Sequence, residues 1–364
     1  MLALTRGFRQ FFAPKKMSAE PSSATTRRAP GWLGVAGIAV AILGVPALLD
    51  LGPLPRKPFD DQPVRLLKKA QPQCVFLGDS MLDSRLDEAV LNAVADRPCT
   101  LLARQGSSSA VWFLMLKNVI AEQPHPPRTV VVFFRSRQLT LPAHRAEGTH
   151  HWRLESVMRD QEPVVEELVG AAVRAQTPLL DRLSLAAYPL QRRRDDWQGR
   201  VQSWALDLVA SSREYTVIRA QAHEIFSAKN LRADEVQDFE AMEGGQSGLD
   251  ADGHEFGASV EHSFLPHMLR IAQAKNIRLV FFRVKRRPAE NGALESESPS
   301  APAYLAALRA YLEKAGAMLI DETHDADVTL DFYGSGDHVK TEMEKRYTEM
   351  FWRKVGPLLP PPAR

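Results

Sequence analysis

The sequence predicts an α/β fold of three layers, a central parallel sheet covered on both faces by helices. Three observations lead there. Apolar runs without polar alternation recur at 74–77 (CVFL), 129–134 (TVVVFF) and 277–284 (IRLVFFRV), as expected for strands buried on both faces. Segments with apolar residues at helical spacing lie between them, such as Leu82, Leu86, Val90 and Val94. The first two strand candidates stop at turn formers, Gly78 and then Gly106-Ser107-Ser108-Ser109.

The N-terminal part reads differently. Its first 30 residues hold Arg6, Arg9, Lys15, Lys16, Arg27 and Arg28 against a single acid, Glu20. From Gly31 to Leu49 no charge occurs. A helix of that length, rising about 1.5 Å per residue, spans a hydrocarbon core of roughly 30 Å. Residues 31–51 are therefore expected to form one transmembrane anchor in the inner or plasma membrane. The basic tail, 1–30, then stays cytoplasmic and the rest is periplasmic or extracellular. The proline-rich stretch 52–71 reads as a linker.

Residues 72–358 read as the main domain, followed by a short tail, 359–364. Strands are expected at 74–77, 99–103, 129–134, 277–284 and 317–321. Helices are expected at 81–96, 110–122, 259–275, 302–315 and 340–357. Between about 145 and 255 the pattern becomes helical and charged, including QRRRDDWQGR at 191–200. That stretch reads as an insertion or cap. The two cysteines, Cys74 and Cys99, open neighbouring parallel strands and are read as buried thiols rather than a bridge. Over 364 residues the net charge is only +2, so no global basic field points to nucleic acid.

Two motifs carry chemistry. Gly78-Asp79-Ser80 joins the first strand to a helix, which places Ser80 at the carboxyl end of a strand and at a helix N-terminus. By itself the tripeptide also fits a plain helix cap. Near the other end, His338 sits in the polar turn Gly334-Ser335-Gly336-Asp337-His338 before the last helix. A serine hydroxyl becomes a nucleophile when a base takes its proton, and imidazole suits that task at neutral pH.

Together these motifs resemble the SGNH, or GDSL-like, hydrolase superfamily over residues 72–140 and 259–357. The resemblance implies Ser80 as nucleophile and His338 as general base. It also implies an oxyanion hole built from the N–H groups of Ser80 and Gly106. The family's acid usually lies two or three residues before the histidine, where this chain has Gly336 and Ser335. Asp337, Asp331 or no acid at all is left to orient the imidazole. In place of the family's third-block asparagine stands Arg135, which fits an oxyanion or an acidic substrate as well as a plain surface role.

An anchor joined to such a domain is similar to the proteins that partner membrane-bound O-acyltransferases, among them the alginate acetylation proteins. The resemblance implies O-acyl transfer, with acetyl as the expected group, onto an exported polysaccharide. A membrane-anchored carbohydrate esterase and an inactive glycan-binding scaffold subunit are the other readings. No cofactor is expected, for no dinucleotide-type glycine loop is present. His144, His150 and His151 lack carboxylates at ligand spacing, so no metal is expected either.

Overall fold

The computed structural model describes residues 58–146, 150–159, 161–176, 255–294, 297–334 and 336–361. The expected tail, the expected anchor at 31–51 and most of the 145–255 insertion lie outside the described residues. Among the described residues, no helix is long and apolar enough to cross a membrane.

Five parallel strands form one sheet: β1 (Cys74–Gly78), β2 (Cys99–Ala103), β3 (Thr129–Phe134), β4 (Arg278–Arg283) and β5 (Met318–Asp321). Their order is β2-β1-β3-β4-β5. The chain therefore steps outward from β1 to β2, then returns past β1 to β3 and continues to the far edge. In an open sheet wound this way, ligands bind outside the carboxyl ends of the strands where the order reverses, here between β1 and β3. Ser80 follows β1 and Arg135 follows β3, so the fold brings both to that point.

The described helices are, in chain order, α1 (Gln62–Ala70), α2 (Ser80–Arg85), α3 (Glu88–Val94), α4 (Ser109–Met115), α5 (His151–Glu155) and α6 (Pro163–Gln176). They continue with α7 (Phe256–Val260), α8 (Leu265–Ala274), α9 (Ala301–Lys314) and α10 (Thr341–Val355). Side chains alternate across each strand, and every strand position of β1 and β3 is buried. Val75, Leu77, Val130, Val132, Leu279 and Phe281 join one core, which includes buried residues of α1, α4, α8 and α9. Phe76, Val131, Phe133, Val280 and Phe282 join the other, under α2, α3 and α10. In the second core Phe351 of α10 stacks its edge on Phe282 at 5.1 Å and contacts Phe76 and Phe133 at 5.8 and 5.5 Å.

Four local features differ from the sequence reading. The expected linker contains α1, because Pro63 falls in a first helical turn, where its missing N–H is no loss, and Leu67 is buried. The single helix expected at 81–96 is two, because Asp87 caps the second one by accepting from the N–H groups of Ala89 and Val90. The helix expected at 110–122 passes from α4 into a π-helical turn, Leu116–Ile120. The helix expected at 259–275 is divided into α7 and α8, with Pro266 in the first turn of α8. Cys74 and Cys99 lie directly opposite one another in the β1–β2 register, and both are free buried thiols.

Candidate active site

The nucleophile turn is built from close packing. A Cβ on Gly78 would stand 2.8 Å from the Cβ of Leu82 and 3.0 Å from that of Phe133, so glycine is what lets α2 fold back onto β1 and β3. Asp79 caps α2, its Oδ1 accepting the Met81 N–H at 2.9 Å. Its Oδ2 accepts from Gln138 Nε2 at 3.3 Å and lies 3.9 Å from the Arg145 guanidinium. The capping reading of the tripeptide thus holds for Asp79, and it leaves Ser80 as the first residue of the helix. Ser80 is half-buried.

His338 completes a pair with it. Its Nε2 lies 3.1 Å from Ser80 Oγ, across 258 residues of chain. The loop that carries it is a narrow one: Tyr333 and Val339 form an antiparallel bridge, and Gly334 N–H donates to the His338 carbonyl at 2.9 Å. Immediately afterwards α10 begins, pinned to the sheet through Phe351. The imidazole is 4% exposed. Burial, then the charges of Arg135 and Arg85, push its pKa down to about 4, against the opposing pull of Asp79 and Asp337. At neutral pH the ring is uncharged and able to accept a proton.

No carboxylate orients that ring among the described residues. Asp337 Oδ2 accepts from Arg135 NH1 at 3.2 Å, and its Oδ1 accepts from the Arg287 N–H at 2.9 Å. Arg286 Nε stands 3.8 Å away on the same side. Burial would raise this carboxyl, but Arg135, the Arg287 N–H, Arg286 and Arg85 together hold it below its ordinary range. Asp331 is exposed, bonded to Thr329 and 3.6 Å from Arg346. Nδ1 of His338 has no hydrogen-bond partner among the described residues. The expectation that Asp337 serves the histidine is corrected: adjacent side chains diverge along the backbone, and this one turns to Arg135. Ser80 and His338 thus meet as a pair without a bonded carboxylate among the described residues.

Gly106 and Arg135 stand at the site for different reasons. Gly106 lies in the turn after β2 with φ +65°, a left-handed backbone that favours glycine. That turn is stitched to the nucleophile turn, since both the Arg104 N–H (2.9 Å) and Ser107 Oγ (3.3 Å) donate to the Gly78 carbonyl. The Arg153 guanidinium covers Gly106, its carbon 2.9 Å from where a Cβ would be. Arg135 is buried and engaged with Asp337, so it acts on His338 as a fixed charge beside it.

Sequence reasoning missed Gln138 and Arg85 here, and it weighed His144 only as a metal ligand. Gln138 is fully buried, accepting the Arg135 N–H at 2.9 Å while donating to Asp79, so it links the turns after β1 and β3. His144 lies among Arg145, Arg135 and Asp79; burial, then Arg145 and Arg135, push its pKa down to about 3. Arg85, on α2, is also buried beside the pair. An amide and a histidine shortly after the third strand were the only signals for the first two. Arg85 gave none.

A hydroxyl bonded to a neutral imidazole at a helix N-terminus can attack an electrophilic carbon while the ring takes its proton. No protein-family model and no curated relative matches the chain. Among solved structures it is similar to a Bacteroides fragilis protein provisionally described as an acylhydrolase, at 8% identity and a TM-score of 0.37, covering 94% of this chain and 100% of that one. A likeness that distant says nothing of activity.

Proposed function

We propose that this chain is a serine acyl-transfer enzyme in which Ser80 is the nucleophile and His338 its general base. The 3.1 Å contact between Nε2 and Oγ, at the carboxyl edge where the strand order reverses, carries the reading. Ser80 Oγ attacks the ester carbonyl carbon while His338 Nε2 takes the hydroxyl proton. The oxyanion would be held by the N–H groups that the resemblance assigns to it, those of Ser80 and Gly106. Collapse expels the alcohol, which leaves with the proton from His338, and an acyl group remains on Ser80. A second hydroxyl, deprotonated by the same ring, then takes the acyl group and restores the serine.

The identity of that second hydroxyl separates transfer from hydrolysis. The finer proposal is O-acylation, with acetyl as the group, of an exported polysaccharide. The domain would be held at the inner or plasma membrane by residues 31–51, beside a membrane-bound O-acyltransferase that supplies the acyl group. The uncharged run behind a basic tail supports the anchor, and the resemblance noted from the sequence supports the partner and the glycan. Hydrolysis by an anchored carbohydrate esterase is favoured by the half-buried position of Ser80, which leaves it open to water. An inactive glycan-binding subunit is favoured by the missing partner of Nδ1.

Treating the full chain in membranes with a fluorophosphonate, and locating the adduct by mass spectrometry, tests the reading. The expected result is an adduct on Ser80 that is lost in His338→Ala. An intact wild-type protein that stays unlabelled overturns it. Feeding an acetyl ester together with soluble glycan then distinguishes acetylated sugar from free acetate.

A further inference from the structure

Arg85 is an unusual cation. It ends α2, the helix that Ser80 begins, and its side chain is wholly buried. A buried guanidinium is costly unless it is paired, yet among the described residues no carboxylate bonds to it. Its NH2 donates to the Lys285 carbonyl at 2.8 Å, and its NH1 lies 3.4 Å from both the carbonyl and the Sδ of Met81. The rings of Tyr333 and Tyr347 flank it, each centroid 5.9 Å away. Its Nε has no hydrogen-bond partner among the described residues.

The Lys285 carbonyl has a second donor. Tyr333 Oη bonds to it at 3.0 Å, and Tyr333 is the residue bridged to Val339 around His338. The Lys285 N–H donates to Glu322 at 3.0 Å, and Glu322 accepts from Tyr347 of α10 at 2.5 Å. Two residues on, the Arg287 N–H holds Asp337. The segment leaving β4 is thus a common anchor for the nucleophile's helix and the histidine's loop.

We propose that Arg85 is a positioning residue for the Ser80–His338 pair, joining the nucleophile's helix to the carbonyl that also holds the histidine's loop. The inference rests on the reading of those two residues as the reacting pair. Its fixed charge also acts on His338. The charges acting on His338 are Arg135 from the end of β3, Arg85 from α2, Asp79 from the nucleophile turn and Asp337 from its own loop. The two arginines oppose an imidazolium and so lower the pH at which the ring becomes protonated.

The test follows fluorophosphonate labelling of Ser80 against pH in the full chain. Arg85→Met removes both the tie and the charge. The rate at pH 7 should fall by about tenfold to a hundredfold, the scale of a small misplacement. The acid limb should also move up toward the ordinary histidine range. Arg85→Lys keeps the charge but lacks the planar fork, so the rate falls and the limb stays. A folded Arg85→Met protein, judged by its melting temperature, that keeps both the wild-type rate and the wild-type limb overturns the proposal. Where that variant fails to fold, Arg85→Lys and Tyr333→Phe decide. Slower labelling with an unmoved limb in both supports the shared anchor, and wild-type rates in both overturn it. An unlabelled wild type overturns the assignment of Ser80 itself, and is thereby told apart from failure of this inference alone.

Discussion

Arg135 and Asp337 meet as a buried ion pair at 3.2 Å, bridging 202 residues of chain. The pair ties the turn after β3 to the loop that carries His338, and the Arg287 N–H adds a third strand end to the same carboxylate. Removing one partner from a buried pair leaves the other charge stranded, which costs about 3–5 kcal/mol. Asp337→Ala is therefore expected to lose about that much stability in urea titration. Labelling of the molecules that remain folded should fall far less than in His338→Ala. An equal loss in both would restore Asp337 to the histidine.

The dyad makes a different kind of prediction. Ser80→Ala should abolish labelling with little change in melting temperature, since Ser80 is half-buried and its one side-chain bond among the described residues is to His338. His338→Ala should slow acyl transfer roughly 10²- to 10⁴-fold, the usual reach of general-base catalysis. Stopped-flow turnover on an aryl ester measures both. Wild-type turnover in either variant removes the dyad from the mechanism.

The pH dependence follows from burial. With His338 held down to about 4 by desolvation, Arg135 and Arg85, the base is already neutral at pH 7. Activity should stay level from pH 7 down through pH 5 and fall only on approaching 4. A midpoint near the free histidine value, about 6.5, would contradict the site as described.

Stability should follow the same group with a definite sign. In the unfolded chain the ring titrates near about 6.5, so below that pH the unfolded state binds a proton that the folded state refuses. The contribution of His338 is thus fully present above about 6.5 and is lost as pH falls toward 4. His144 acts in the same sense, down to about 3. Glu322, whose carboxyl burial raises, acts in the opposite sense above its ordinary value. The histidine share is read by difference: in His338→Gln the loss of melting temperature between pH 7 and pH 5 should shrink.

Gly78 tests the packing under the nucleophile. A methyl group there would press on Leu82 at 2.8 Å, closer than real Cβ atoms approach, and on Phe133 at 3.0 Å, tighter than most. Gly78→Ala should cost about 1–3 kcal/mol, typical of overpacking, and should slow labelling by displacing α2. A variant with wild-type melting and labelling would show that the strand end has room to yield.

The strands were legible in the sequence because runs such as TVVVFF have no polar residue to alternate, and a parallel sheet buries both of their faces. Ser80 and His338 were legible because each stands in a turn between a strand-like and a helix-like segment. The break between α2 and α3 was not, since apolar spacing runs on through Leu86 and only the bonds made by Asp87 show where one helix ends. Asp337 was one of three alternatives for orienting His338, and local pattern could not choose among them. Its true partner lies 202 residues back, set by the strand order rather than by any local pattern. Arg85 reads as an ordinary helix-end arginine until the loop after β4 folds over it.

The separation of 258 residues between Ser80 and His338 also has a consequence in time. A chain emerging from the ribosome presents its serine early, whereas His338 follows β4 and β5 in the sequence and stands just before α10. Until then the hydroxyl is an ordinary alcohol, inert toward the thioesters and activated acyl groups of the cell interior. On the proposed dyad, any reactivity of Ser80 therefore waits until the C-terminal segment that carries His338 has been made.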